Sequence, residues 1–229
     1  MQEPLIYLLK PDFTKKVAEM SNEKTLSWSY CEDFIPEGEV LETARQHARD
    51  FGINTITSGV GAALRMIVAS CGAKAVAEIG TGTGVSGLWL LSGMSADAVL
   101  TTIDIEPEHH KIARTAFAAA GMRPPRTRLI TGQALDILPR MAARAYDLVF
   151  LDADPQQNHA YIAEATRMLR RGGVLVVAHA LWNDTVADPA RREPETVAIR
   201  QLGKDLADSE DFMTTILPVG DGLLVAVRR

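Results

Sequence analysis

The chain has 229 residues, 47% of them hydrophobic and 23% charged, with a formal net charge of −5; at roughly 150 residues per domain this describes one large folded domain and excludes a disordered chain. The mild acidity excludes a basic nucleic-acid footprint, no apolar run approaches the roughly 18 residues of a membrane span, and the two cysteines, Cys31 and Cys71, exclude a disulfide framework. Glu3, where a secretion signal carries basic residues, and the short Leu5–Leu9 run argue against export, so a cytoplasmic, reducing setting is expected.

The first 35 residues carry scattered aromatics, Tyr7, Phe13, Trp28, Tyr30 and Phe34, with no long period. They are expected to form a partly helical extension that packs on the domain or on a second subunit. From Pro36 the pattern is helical, with Val40, Leu41, Ala44 and Ala48 at spacings of three and four until Gly52. The polar residues Thr55, Thr57 and Ser58 lead into a second helix over 59–70. After Cys71-Gly72, short apolar runs at 75–79, 99–105, 128–131, 146–151 and 174–178 alternate with helical runs at 85–94, 107–121, 133–142 and 157–170. Continuous apolar strands separated by helices are strands buried on both faces, which is the signature of a parallel α/β sheet. A helix over 193–208 then leads into apolar runs at 212–219 and 223–227 around Gly220-Asp221-Gly222, a β-hairpin. The expected division is an N-terminal extension and helix, 1–55, acting as lid or interface, and a ligand-binding domain, 56–229. The arginine-rich stretch 123–128 is read as a solvated loop.

The most informative stretch is Glu78-Ile79-Gly80-Thr81-Gly82-Thr83-Gly84, between the first strand and the next helix. Glycines there let the backbone turn sharply and approach a ligand closely, and the helix start offers free N–H groups. Gly82-x-Gly84-x-x-Gly87, with Asp104 at the end of the second strand about 20 residues on, also fits a dinucleotide site. The loop therefore indicates an adenosine-containing ligand, and an NAD-dependent oxidoreductase is one reading of it. Glu78 points elsewhere. A buried carboxylate is costly without a partner; it would repel a pyrophosphate, whereas the ammonium group of an amino-acid moiety would pair with it.

Taken together, Ala77-Glu78-Ile79-Gly80-Thr81-Gly82-Thr83-Gly84, Thr102-Ile103-Asp104-Ile105-Glu106-Pro107, the stretch Tyr146 to Asp154 and Ala180-Leu181-Trp182-Asn183 resemble the S-adenosylmethionine (SAM)-dependent O-methyltransferases of the catechol/caffeoyl-CoA family. The resemblance runs from about Ile56 to the C-terminus. It implies an α/β, Rossmann-like methyltransferase fold, with a seven-stranded, mostly parallel sheet, an antiparallel C-terminal hairpin and helices on both faces. It implies that Glu78, Gly80, Thr81, Gly82 and Gly84 hold the methionine part of SAM, with Ser86 near its carboxylate. Asp104 and Ile105 would take the ribose, and Gly132, Gln133 and Ala134 would border the adenine. Ile56 and Thr57 would close over the methyl donor, and Asp152 and Ala153 would sit where cofactor meets acceptor. The acceptor is expected to be a small molecule bearing a hydroxyl or carboxyl group, and the protein a homodimer with no nucleic-acid or membrane partner.

The sequence departs from the family at the chemistry. Cation-dependent members carry a carboxylate after the fourth strand and an Asp-Asn pair after the fifth, oxygen ligands of the kind a hard cation wants. Asp152 is kept, but Ala178-His179 stands in place of the pair, and Pro155 stands where a lysine is expected. Weak or no magnesium dependence is therefore expected, although a softer Mn or Zn site of Asp152, Asp154 and His179 stays as an alternative. His179 is the candidate base, because imidazole accepts protons near neutral pH; Asp152 and Asp154 join it as candidate catalytic residues, with His159 behind them. Trp182 is read as packing. A non-catalytic SAM-binding dimer is the remaining alternative.

Overall fold

The computed structural model describes residues 22–229; Glu3, the Leu5–Leu9 run, Tyr7 and Phe13 lie outside the described residues. Helix α1 (Asn22–Glu32) is the described part of the extension, and it leaves Leu26, Trp28 and Tyr30 exposed. Helix α2 (Glu39–Asp50) presents Ala44 and Ala48 to the core, as its spacing predicts. Helix α3 (Ser58–Ser70) is capped by Thr57, whose side chain accepts from the Val60 N–H, a bond that satisfies one of the free donors of the first turn.

The sheet follows. Strands β1 (Ala75–Ile79), β2 (Val99–Asp104), β3 (Thr127–Thr131), β4 (Tyr146–Leu151), β5 (Leu169–Val177), β6 (Phe212–Leu217) and β7 (Leu223–Arg228) form one seven-stranded sheet in the order β3-β2-β1-β4-β5-β7-β6. Strands β1 to β5 are parallel, and β7 runs antiparallel to both β5 and β6. The helices between them are α4 (Val85–Gly93), α5 (Pro107–Ala119), α6 (Ala134–Ile137), α7 (Asn158–Met168) and α8 (Pro194–Asp208).

Alternation along the strands divides the core in two. Val76, Leu100, Leu148, Phe150 and Val176 pack with Leu64, Trp89 and Phe117 of α3, α4 and α5. Ala77, Ile103, Val149, Leu151 and Leu175 pack on the other face with Tyr161, Met168, Leu202 and Leu206 of α7 and α8. Both faces are covered, as a parallel sheet requires.

Two boundaries differ from the expectation by more than three residues. Strand β5 begins at Leu169 instead of 174, because the ladder with β4 shifts register between Tyr146 and Leu148 and carries the polar Arg170-Arg171-Gly172-Gly173 as part of the strand. The helix over 133–142 is reduced to α6 and a 3-10 turn, Leu138–Arg140, because Pro139 lacks the N–H that a continuing helix needs.

Asp147 ties the amino-terminal end of the sheet together. Its Oδ2 accepts from the Lys74 and Ala75 N–H groups at 2.8 Å each, and its Oδ1 from Arg170 Nε at 2.5 Å. Burial raises this carboxyl, but the bonds from Arg170, Ala75 and Lys74 outweigh it and hold the group below its ordinary value. Asp147→Ala should lower unfolding stability by about 1–3 kcal/mol, read by urea denaturation, while leaving SAM affinity unchanged because the residue lies at the sheet end opposite the cavity described next.

Candidate active site

The chain runs outward from β1 through β2 to β3, then crosses back to β4 on the other side of β1. Ligands of open α/β sheets bind at such a switch point, beyond the carboxyl ends of the strands. A cavity of about 500 Å³ lies there.

Its floor is the glycine loop. Gly80, Gly82 and Gly84 have φ values of +97°, +49° and +90°, in the left-handed region that glycine adopts without steric cost. A Cβ on Gly80 would stand 2.0 Å from the Asp152 carbonyl oxygen. Gly84 is the N-cap of α4 and packs on Ala113 and Phe117, so it shapes the loop from behind and does not line the cavity.

Asp104 holds this loop from β2. Its Oδ2 accepts from the Thr81 and Gly82 N–H groups at 3.0 and 2.8 Å, and its Oδ1 from the Glu106 N–H at 2.9 Å and from His109 Nδ1 at 3.1 Å. All four acceptor positions of the carboxylate are engaged. Behind the loop, Thr81 Oγ1 lies 2.6 Å from Thr102 Oγ1 and 3.0 Å from His110 Nε2, and His110 Nδ1 lies 2.8 Å from Thr131 Oγ1. Burial pushes the His110 imidazole below its ordinary value, which favours the neutral ring that such a relay of hydroxyls needs.

Glu78 lies under Ser86 and Ile79, which line the cavity. The residue is fully buried; its Oε1 accepts from Ser86 Oγ at 2.6 Å, and its Oε2 has no hydrogen-bond partner among the described residues. Burial pushes this carboxyl up to about 7; the hydrogen bond from Ser86 and the nearby Thr102 hydroxyl oppose the rise, and the charges of Asp152 and Asp104 add to it. A buried oxygen left without a donor is costly, and it fits an ammonium group of a ligand.

The near wall is the segment before α3. Ile53, Asn54, Thr55 and Ile56 line the cavity, and Arg45 of α2 fixes them by donating through Nη1 to Thr55 Oγ1 at 2.8 Å and to the Ile56 carbonyl at 2.6 Å. Glu37 completes the brace, pairing with Arg45 and accepting from Trp89 Nε1 at 3.0 Å. Thr57, one residue on, is spent on the α3 cap.

Ile105, Gly132, Gln133 and Ala134 line the side toward β3, and Asp152, Ala153 and Asp154 the side toward β4. Asp154 accepts from the Gln156 N–H at 3.0 Å and caps the 3-10 turn Pro155–Gln157. His179, which follows β5, does not line the cavity itself; its Nε2 lies 3.5 Å from Asp152 Oδ1 and its Nδ1 lies 3.0 Å from Asp221 Oδ2. Burial pushes the Asp152 carboxyl up, with the neighbouring His179 opposing. Trp182 meets the His179 ring edge-on, with centroids 6.4 Å apart. His159 pairs with Asp205 at 3.6 Å, away from the cavity.

Sequence reasoning missed Ile53, Asn54, Thr55, His109, Gln157 and Tyr161 of the cavity wall and Asp221 behind His179. Asp221 was legible only as the centre of a Gly-Asp-Gly turn, and no spacing rule connects that turn to position 179.

Among the described residues no group of three or more His, Cys, Asp or Glu side chains is placed to hold a metal ion. The alternative Mn or Zn site of Asp152, Asp154 and His179 is therefore not assembled: Asp154 caps its own turn, and the second nitrogen of His179 faces Asp221. The donor set does not fit magnesium either, since Ala178 offers no side-chain oxygen where a hard cation needs one.

A glycine loop at the switch point, a buried acid beneath it and a second acid at the end of β2 define the class, a SAM-dependent methyltransferase of Rossmann-like fold. The chain belongs to the O-methyltransferase family, whose profile matches residues 30–229. It is 52% identical over 200 residues to a Mycobacterium ulcerans protein named as an O-methyltransferase, covering 87% of this chain and 89% of that one. A Mycobacterium tuberculosis protein named in the same way is 51% identical over 201 residues, with 88% and 90% covered. Among solved structures, a Corynebacterium glutamicum protein superposes with a TM-score of 0.84 at 32% identity, covering 90% of this chain and 97% of that one. The O-methyltransferase TomG of Streptomyces achromogenes, solved in complex with SAM, gives 0.80 at 27% identity, with 91% and 99% covered. This family membership overturns the NAD-dependent oxidoreductase reading. The structure shows why the spacing misled: Gly87 is a packing glycine, where a Cβ would stand 2.7 Å from the Phe117 ring.

Glu78 yields a prediction with a definite sign. Its carboxyl, ordinarily near 4.5, sits at about 7 in the folded chain, so the folded state retains a proton that the unfolded state releases. That contribution to stability is fully present below pH 4.5 and is lost as pH rises through 7. Without ligand, Glu78→Gln should abolish a decline of up to about 3 kcal/mol between those limits, read by denaturation at a series of pH values. The same variant should bind SAM more weakly at pH 8, where the native carboxylate is charged.

Proposed function

We propose that this O-methyltransferase places SAM across the switch-point cavity and transfers its methyl group to a small acceptor bearing a hydroxyl or carboxyl group, with His179 as base and without dependence on magnesium. The observation that carries the reading is one cavity lined by the glycine loop, Asp104 and 132–134, with the partnerless Glu78 oxygen buried behind its Ser86 wall. Glu78 and Ser86, with the Gly80–Thr83 backbone, would hold the methionine end. Asp104 and His109 would meet the ribose, whose hydroxyls exchange for the contact between those two side chains. Gly132, Gln133 and Ala134 would border the adenine, and Ile56 on its Arg45 brace would close the near wall beside Thr57. Asp152 and Ala153 would stand at the boundary between cofactor and acceptor.

When bound, SAM supplies an activated methyl group on a sulfonium, so alignment of the acceptor oxygen provides much of the rate. The protein's remaining task is the acceptor's proton. His179 Nε2 lies 3.5 Å from Asp152 Oδ1 with no hydrogen bond there, and it is the nitrogen that would take that proton. Asp152 then lies 3.5 Å from the charged ring. Asp154, spent on its cap, shapes the wall and carries no proton. Ala178 and Pro155 remove the carboxylate and the lysine of cation-dependent relatives, and a histidine base supports chemistry without either.

Exposed Leu26, Trp28, Tyr30 and Phe34 on and just after α1 support a homodimer in which the N-terminal extension, 1–55, lies at the interface or over the site. Free Cys31 and Cys71 support a reducing cytoplasm.

Three measurements test this. Calorimetry should show binding of SAM and of its demethylated product, and absence of binding at millimolar ligand rejects the cavity assignment. Turnover on a panel of catechols, phenols and hydroxy acids should persist in EDTA; loss in EDTA with recovery on adding magnesium rejects metal independence. His179→Ala should lower kcat by about 10²–10⁴-fold with SAM affinity unchanged.

A further inference from the structure

We propose that Asp221, in the turn between β6 and β7, is the positioning residue that fixes His179 as the tautomer with Nε2 free to accept the acceptor's proton. The proposal rests on the reading of His179 as base and adds the group that makes it one.

A neutral imidazole carries its proton on one nitrogen, and the hydrogen bond made by that nitrogen decides which. Nδ1 of His179 lies 3.0 Å from Asp221 Oδ2, hydrogen-bond distance from an obligatory acceptor. Nε2 lies 3.5 Å from Asp152 Oδ1 without a hydrogen bond. The carboxylate of Asp221 therefore holds the proton on Nδ1 and leaves the lone pair on Nε2, on the side of the cavity wall. The side chains of His179 and Asp221 are 18% and 22% exposed, so water competes little with their contact.

The loop carrying His179 is strained, and Asp221 supports it. His179, Trp182, Asn183 and Asp184 all have positive φ, between +48° and +62°, which costs non-glycine residues energy and persists only where surroundings enforce it. Asp221 enforces it through three contacts. Its Oδ1 accepts from the Asn183 N–H at 2.7 Å, its carbonyl accepts from the Leu181 N–H at 2.9 Å, and its Oδ2 meets the imidazole. The glycines on either side fix its aim. A Cβ on Gly222 would meet Leu181 Cγ at 2.6 Å, and one on Gly220 would meet Val60 Cγ2 at the same distance. The Gly220 N–H also donates to Glu32 Oε1 at 2.7 Å.

In the step itself, the acceptor's O–H bond breaks and its proton passes to Nε2. The electron pair left on oxygen forms the new bond to the methyl carbon as the carbon–sulfur bond breaks, its electrons staying on sulfur. The imidazolium formed lies between the carboxylates of Asp221 and Asp152, and its proton leaves to water.

Asp221→Asn separates positioning from scaffolding. The amide oxygen can keep the Asn183 N–H, while its NH₂ then faces Nδ1 and drives the proton to Nε2. In a Ser-His-Asp triad the equivalent exchange preserves geometry and lowers kcat about 10⁴-fold through the wrong tautomer. The test is long-range ¹⁵N–¹H NMR of the histidine-labelled full chain at pH 8.5, with His179 among the five histidines identified by its absence in His179→Gln. The native chain should show His179 protonated on Nδ1 and Asp221→Asn should show it protonated on Nε2, with S-adenosylhomocysteine affinity unchanged. A native ring protonated on Nε2 overturns the proposal whether or not any variant folds, and so does a folded Asp221→Asn chain with an unaltered tautomer. If both tautomers are as expected and His179→Gln still methylates a catechol at the native rate, positioning stands and the base reading falls.

Discussion

Gly80 lies so close to the carbonyl of Asp152 that no side chain fits between them; a Cβ would stand 2.0 Å from that oxygen. This contact joins the carboxyl ends of β1 and β4, the two strands between which the chain reverses its course through the sheet. The Asp152 N–H continues the ladder by donating to the Ile79 carbonyl, and the Gly80 N–H donates to Ile103 of β2. Three strand ends thus meet at one residue without a side chain, and the space above them becomes a cavity instead of packed core.

Holding that space open costs stability, and buried polar groups carry the cost in a directed way. Asp104 spends its whole carboxylate on the loop backbone, on the start of α5 and on His109. Thr81, Thr102, His110 and Thr131 form a satisfied relay behind it. Among the described residues, Glu78 alone is left half-satisfied. Fully bonded networks rigidify a site, whereas a lone unpaired oxygen is a defect until a ligand supplies its donor. The arrangement gives a rigid frame around one group whose energy improves on binding.

The His179 side is organised from further away. The His179 loop is bonded to the β6–β7 turn, that turn to Glu32 at the end of α1, and Glu32 in turn to the Gly59 N–H and the Ser58 hydroxyl at the start of α3. The cavity wall at Thr55 and Ile56 is braced separately through Arg45, Glu37 and Trp89. The N-terminal helices therefore bear on both sides of the site, on the cavity wall through α2 and on the His179 loop through α1.

Much of this was legible in the linear chain, because it is local. Strand and helix periodicities, the glycine run at 80–84 and the acid ending β2 are set by neighbours within a few residues, and the structure places Gly80, Thr81, Gly82, Ser86, Asp104, Gly132, Gln133, Ala134 and Asp152 on one cavity. What the chain order concealed are relations between distant residues. Gly87 reads as a ligand glycine until Phe117 is seen against it, and the polar Arg171-Gly172-Gly173 falls outside the expected strand until β4 shifts register to pair with it. Asp221 and His179 stand 42 positions apart, and their contact exists because β7 inserts antiparallel between β5 and β6. Local sterics and hydrophobic period are written residue by residue, whereas the partner of a hydrogen bond across a sheet is chosen by strand order, which appears only when the chain is folded.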